Sequence, residues 1–217
     1  MSKPNIEILQ GDCMAYMAGL EDNAFELAIC DPPYGIKESG GNESRNRVAS
    51  KNYAKKDWDA SPPDSNYFSE LKRVSKNQII WGANHFMQNI GLGSSCWIVW
   101  DKMTGESDFA DCELAYTSFK TAVRKFQFRW SGMLQGDMKN KELRIHPTQK
   151  PVKLYEWLLA NYAKEGDRIL DTHLGSGSSA IAAHYSGFDF VGIELDQDYF
   201  EAAKKRFERE TAQGALF

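Results

Sequence analysis

Cysteine is scarce in this chain: Cys13, Cys30, Cys96 and Cys112 are the only four in 217 residues. None sits in a Cys-x-x-Cys pair, and no His/Cys cluster has zinc-ligand spacing, so the usual signs of a disulfide framework or a metal module are missing. Cys30 and Cys96 read as small buried hydrophobes and all four as free thiols. Long apolar runs are missing too; nothing approaches the ~18 residues that span a bilayer. The segment Met1-Ser2-Lys3-Pro4-Asn5 lacks the apolar core of a signal peptide. The expectation is a cytoplasmic protein with no membrane partner. Positive charge is also short, since the formal net charge is -4. That argues mildly against a nucleic-acid binder, although the distribution of charge matters more than its total.

What is present is an ordinary folded composition, with 42% hydrophobic and 26% charged residues. The length suits one domain, residues 1–217, with a modest insertion. Alternating or apolar runs predict strands at 6–10, 25–30, 78–81, 96–100, 113–119, 168–170 and 190–193. Helices are predicted at 13–20, 66–75, 151–163, 178–185 and 197–211, with Pro151 as the first helical residue of its segment. Strands alternating with helices imply an α/β fold, a largely parallel sheet covered on both faces. Residues 36–65 form a long polar loop rich in Gly, Ser, Asn and Lys, a length that is usually functional or disordered. Residues 120–146 are basic: Lys120, Arg124, Lys125, Arg129, Lys139, Lys141 and Arg144 stand against only Asp137 and Glu142, with Phe126, Phe128 and Trp130 interleaved.

Two turns carry chemistry. Asp171-Thr172-His173-Leu174-Gly175-Ser176-Gly177 follows a strand and opens a helix, and Glu194 ends the next strand. Glycines there admit a ligand close to the backbone, and an acid about 20 residues on is placed for ribose hydroxyls. The pattern favours a nucleoside ligand over a plain strand-to-helix turn. A triphosphate is disfavoured, because the loop holds no lysine and the chain no Gly-Lys-Ser/Thr. The second turn, Asp31-Pro32-Pro33-Tyr34, ends a buried strand. Two prolines stiffen it, Asp31 and the proline carbonyls are acceptors, and Tyr34 offers a flat ring. The set suits a planar substrate bearing an NH2 group. Taken alone it is equally a rigid turn with a packing tyrosine.

Together the two turns resemble the amino-methyltransferases of DNA, in particular the circularly permuted beta class, where Asp-Pro-Pro-Tyr precedes the cofactor loop. The likeness spans nearly the whole chain. Ile79-Ile80-Trp81-Gly82-Ala83-Asn84 resembles a core strand with its loop, and His146-Pro147-Thr148-Gln149-Lys150-Pro151 the segment before the cofactor loop. His173 departs from the family pattern, which has phenylalanine there. The small size and Trp100-Asp101-Lys102 are similar to compact phage or prophage members, encoded within a bacterial host.

The resemblance implies a Rossmann-like fold that binds S-adenosyl-L-methionine and methylates adenine N6 in double-stranded DNA. The C-terminal strands at Ile169 and Val191 would supply its first two strands, those at Ile8 and Ile29 its third and fourth. The implied catalytic set is Asp31, Pro32, Pro33 and Tyr34. The implied cofactor set is Asp12, Cys13, Asp31, Thr148, Gln149, Lys150, Asp171, His173, Gly175, Ser176, Gly177, Glu194 and Leu195, with the 146–151 segment holding the methionine carboxylate. No metal is implied. In the implied reaction a flipped base stacks on Tyr34 while Asp31 and the Pro32 carbonyl accept its amino hydrogens, and methyl transfer is direct and in line. Candidate phosphate contacts are Arg45, Arg47, Lys51, Arg124, Lys125, Arg129, Lys139 and Arg144, with Lys37, Lys55 and Lys56; each alone reads first as a solvated surface charge, and the two basic stretches together favour DNA contact. Target recognition is placed at about 102–144. So small a segment implies a short target, or a homodimer in which each subunit contributes. A cognate endonuclease leaves no signature in these residues. Cytosine N4 is the nearest alternative substrate; RNA, a protein glutamine and a non-catalytic DNA-binding relic are more distant.

Overall fold

The computed structural model describes residues 3–36, 59–91, 93–105, 110–131 and 134–212. Lys37, Arg45, Arg47, Lys51, Lys55 and Lys56 lie outside the described residues, as does most of the 36–65 loop.

The chain opens with β1 (Ile6–Gln10), α1 (Cys13–Ala18) and β2 (Phe25–Cys30). Asp12 caps α1 by accepting the Met14 N–H at 2.8 Å. Then come α2 (Ser65–Val74), β3 (Ser75–Trp81), the short α3 (Met87–Ile90), β4 (Trp97–Asp101) and β5 (Cys112–Thr117). The basic stretch holds three strands that the sequence reading did not anticipate: β6 (Arg124–Gln127), β7 (Trp130–Ser131) and β8 (Leu134–Gln135). The chain closes with α4 (Val152–Tyr162), β9 (Arg168–Asp171), α5 (Ser178–Ser186), β10 (Asp189–Glu194) and α6 (Gln197–Ala212). Pro151 is the cap of α4 and not its first helical residue, because its ψ of 147° is extended.

The main sheet has eight strands in the order β1-β10-β9-β2-β3-β5-β4-β6. Only β5 runs against the others. Strands from the two chain ends are therefore neighbours: β10 lies between β1 and β9, and β9 pairs with β2. The apolar runs in β2 and β3 follow from burial on both faces. Leu27, Ile29, Ile79 and Trp81 pack under α4 and α5, while Ala28, Cys30 and Ile80 alternate to the other face, against Phe68 and Leu71 of α2.

Since β1, β2, β9 and β10 are parallel, their carboxyl ends share one edge of the sheet, where open α/β sheets bind ligands. β5, running the other way, starts at that same edge with Cys112 and Glu113.

Arg206 locks the C-terminal helix to this edge. It is 2% exposed and donates to the Ser176 carbonyl and the Ser178 hydroxyl, both at 2.9 Å, and to Glu142 at 2.6 Å. Glu142 in turn accepts the Val152 N–H at the start of α4, at 2.9 Å. Removing one partner of a buried pair leaves the other uncompensated. Arg206→Met is expected to lower unfolding stability by about 3 kcal/mol, read from urea denaturation. A loss near zero would mean that water replaces the guanidinium without strain.

Candidate active site

A cavity of about 740 Å³ opens at the carboxyl edge. That volume suits a nucleoside-sized ligand. One wall is the glycine loop with Glu194 and Leu195; another is Gly11, Asp12 and Cys13 at the end of β1; a third is Thr148, Gln149 and Lys150 before α4. Asp31 and Pro33 reach it from the end of β2. Of the residues singled out from sequence, Asp12, Cys13, Asp31, Pro33, Thr148, Gln149, Lys150, His173, Gly175, Ser176, Glu194 and Leu195 thus meet at one cavity. Asp171 and Gly177 stand just behind it, Asp171 at the end of β9 and Gly177 capping α5.

The glycine loop is shaped from both sides. Gly177 has φ +74°, a left-handed conformation that other residues rarely adopt, and this lets α5 start directly from the loop. Glu194 accepts the Gly175 N–H at 2.8 Å and the Asp196 N–H at 2.9 Å, one on each oxygen. Burial pushes its carboxyl up against these two donors. Asp171 accepts the His173 N–H and the Ser179 hydroxyl, at 3.0 and 2.6 Å, and burial pushes it up to about 7.

His173 behaves as a neutral ring. Burial pushes its imidazole down to about 4, so it places no cation in the cavity at neutral pH. Its Nδ1 meets the Thr172 hydroxyl at 3.0 Å, and that hydroxyl meets Tyr67 at 2.7 Å. The thiols are equally quiet: burial pushes Cys13 up to about 11 and Cys30 up to about 12, so neither supplies a thiolate nucleophile.

At the other end of the cavity the Asp31 carboxylate is already engaged. Oδ1 accepts the Tyr34 hydroxyl at 2.7 Å and Oδ2 accepts the Lys150 ammonium at 2.5 Å. Burial raises the Asp31 carboxyl, and the charge of Lys150 opposes that rise. The Tyr34 ring stacks on His85, with centroids 5.0 Å apart, and lies tight against Gly82, where a Cβ would fall 2.0 Å from Cε1. Pro32 is buried, and neither Pro32 nor Tyr34 lines the cavity. In this arrangement the Tyr34 hydroxyl is drawn to Asp31 and its ring is stacked on His85, while the residue stays partly exposed.

The segment 146–151 also uses its side chains internally. Gln149 accepts the Ile145 N–H at 2.9 Å, and its carbonyl accepts the Trp130 indole at 2.8 Å. Thr148 is bonded through its hydroxyl to His146 Nδ1 at 3.1 Å.

Several residues at the site were not found from sequence. Thr172, inside the glycine loop, lines the cavity without having been singled out, and so do Tyr155 and Tyr199, whose local pattern does not separate them from packing residues. Glu113 was readable in principle: an acid inside an otherwise apolar strand needs a buried partner. It has two, Lys102 at 2.5 Å and Lys150 at 3.1 Å. Burial would raise Glu113, yet the two ammonium groups hold it down at about 2.

The basic candidates separate by position. Arg129 follows β6 at the cavity end and donates to the Met103 carbonyl; Arg144 donates to the Pro147 carbonyl at 2.6 Å; Lys139 is exposed in the turn between. Lys125 is mid-strand, 3.6 Å from Asp101. Arg124 starts β6 beside Ile98, at the sheet edge away from the cavity, so it does not join the others.

Residues 99–205, a little under half of the chain, match a family model described as DNA methylase. Over 94% of its length the chain is 26% identical to the type II methyltransferase M2.MboI of Moraxella bovis, spanning 88% of that protein. The chain is thus similar to DNA methyltransferases. Among solved structures it resembles the M1.HpyAVI–SAM complex, with TM-score 0.58 and 21% identity, over 93% of this chain and 99% of that one. It also resembles the PvuII cytosine-N4-specific DNA methyltransferase, with TM-score 0.62 and 12% identity, over 97% and 92% of the two chains. The Rossmann-like methyltransferase fold is thus the fold of this protein, mostly parallel and covered by helices on both faces.

Proposed function

We infer that this chain is an S-adenosyl-L-methionine-dependent DNA methyltransferase that transfers a methyl group to adenine N6 in double-stranded DNA. The observation that carries the reading is one cavity lined at one end by the glycine loop and Glu194, and at the other by Asp31 and Pro33. The order of these segments in the chain, with the Asp-Pro-Pro-Tyr turn first and the glycine loop last, supports the circularly permuted arrangement within a single domain.

The residues present fit the cofactor. Gly175 lets a ligand approach the loop backbone, and Gly177 lets α5 start directly behind it. Each Glu194 oxygen takes one backbone N–H and keeps a lone pair for a ribose hydroxyl. When bound, the cofactor supplies an activated methyl on a sulfonium. Asp31 is the acceptor for the substrate amino group. Its two engaged oxygens each retain lone-pair capacity, so an N–H can be accepted without displacing Tyr34 or Lys150. Holding that N–H turns the nitrogen lone pair out of conjugation with the base, and the catalysis is positioning. Arg129, Lys139 and Arg144, on the cavity side, are the phosphate contacts we favour within the recognition segment; Arg124 is not among them. The aspartate ahead of the prolines favours adenine over cytosine.

The test is incubation with methyl-labelled S-adenosylmethionine and DNA, RNA and protein acceptors in parallel, followed by nucleoside analysis. N6-methyladenine in duplex DNA is expected. N4-methylcytosine would correct the base; label only in RNA or protein would replace the reading.

A further inference from the structure

Resting on the methyltransferase reading, one feature of the site assigns a residue differently from the family resemblance. The resemblance implies that Lys150, in the 146–151 segment, helps hold the methionine carboxylate. Its side chain is 3% exposed, and its ammonium meets Asp31 at 2.5 Å, Glu113 at 3.1 Å and the Tyr34 hydroxyl at 3.2 Å. An ammonium has three N–H donors. Two of the three contacts are hydrogen bonds, to Asp31 and to the Tyr34 hydroxyl, and Glu113 is an ion-pair partner, so the ammonium is engaged with Asp31 and its neighbours. Glu113 is itself held from its other side by Lys102. The result is a chain of alternating charge, Lys102–Glu113–Lys150–Asp31, that ends on the reacting carboxylate and sums to zero.

We propose that Lys150 and Glu113 are positioning residues for Asp31: Glu113 fixes the Lys150 ammonium, which holds the Asp31 carboxylate ionised and oriented as the acceptor of the substrate amino group. Lys150 then has no part in holding the cofactor. A buried carboxylate without a cation takes up a proton, and a protonated Asp31 offers one acceptor oxygen fewer. The groups facing Asp31 are Lys150 from the segment before α4, Glu113 from β5, Tyr34 from its own turn, Tyr155 from α4 and Asp171 from β9. Lys150 favours its ionised form and Glu113 opposes it. The two positions therefore have opposite signs, which packing alone does not reproduce. Asp171 and the tyrosines are common to all variants and do not alter the sign of a difference between them.

The experiment compares wild type, Lys150→Met and Glu113→Gln in cofactor affinity by calorimetry and in turnover on DNA as a function of pH. For Lys150→Met the expected result is cofactor affinity within a few-fold of wild type, turnover at neutral pH down by about a hundredfold, and an acid limb moved to higher pH with recovery on the alkaline side. For Glu113→Gln the acid limb moves to lower pH with cofactor affinity unchanged. If Lys150→Met does not fold, because Asp31 loses its cation and Glu113 one of its two, the near-isosteric Glu113→Gln decides alone by the sign of its shift. Loss of cofactor affinity with unchanged turnover at saturation would return Lys150 to the cofactor and overturn the proposal. Acid limbs that stay in place would overturn it as well. A wild-type protein that binds cofactor but methylates no DNA would instead overturn the functional reading beneath it, and the proposal with it.

Discussion

Replacing Asp31 by alanine is expected to lower the rate of methyl transfer by about a thousandfold, while cofactor affinity changes only a few-fold. The magnitude follows from what the carboxylate does. Losing one preorganised electrostatic contact at a reacting centre typically costs about 10²–10³ in rate, and misplacing the acceptor nitrogen adds to that. Affinity is spared because the walls expected to hold the cofactor, the glycine loop, Glu194 and Asp12, are built from other strands. The substitution also strips Lys150 of one of its two anions in a buried place, leaving Glu113 and the Tyr34 hydroxyl. Some loss of stability accompanies it, so thermal unfolding has to be followed alongside. Asp31→Asn keeps the volume and one acceptor oxygen and is expected to fall between alanine and wild type. Single-turnover rates on DNA at saturating cofactor, with calorimetry for affinity, separate the two effects. Near-normal turnover in Asp31→Ala would remove the carboxylate from the mechanism; a parallel loss of affinity and rate would make it a cofactor ligand first.

Much of this site is legible without coordinates, and particular residues show why. The runs at 6–10 and 25–30 become β1 and β2 with the same bounds: β2 is buried almost throughout and reads as an apolar run, β1 is a half-buried edge strand that alternates, and turn residues follow each. The adjacency of the Ile169, Val191, Ile8 and Ile29 strands is likewise as the family resemblance implies. The basic stretch is a different case. β6 is an edge strand with an exposed Arg-Lys and a half-buried Phe126, and β7 and β8 have two residues each, too short for any periodicity to register. Composition there spoke for nucleic acid and concealed structure.

Side-chain partners were the least visible layer. Lys150 and Asp31 are 119 positions apart, and the sequence holds no record of which acceptor an ammonium will choose. It showed polar residues at 148–150 but not that Gln149 would turn back to bond Ile145, or that the Lys150 ammonium would pair with Asp31. His173 is instructive in the other direction. An imidazole where the family has phenylalanine looks like a change of chemistry. Burial pushes its pKa to about 4, so the protein treats it as a neutral packing ring.

Replacing Glu194 by alanine is expected to weaken cofactor binding by about a hundredfold or more and to affect turnover at saturation far less. Two contributions add. Hydrogen bonds to a charged group contribute about 1.5–3 kcal/mol each, and the free lone pairs of Glu194 are placed for two ribose hydroxyls. About 3 kcal/mol of lost binding corresponds to roughly a hundredfold in affinity. The second contribution is the loop itself. Glu194 holds the Gly175 N–H at 2.8 Å and the Asp196 N–H at 2.9 Å, so its loss frees both sides of the cavity mouth. Glu194→Gln, which keeps one carbonyl oxygen, is expected to lose less. The pH dependence has a definite sign. Burial raises the Glu194 carboxyl, so wild-type affinity is full above that raised pKa and declines as pH falls through it, while Glu194→Ala shows no such decline from this group. Calorimetric titration of the cofactor over the acid range reads both. Undiminished affinity in Glu194→Ala would place the ribose elsewhere. A loss of turnover larger than the loss of affinity would make the glycine loop part of the positioning of the reacting methyl, and no longer a cofactor cradle alone.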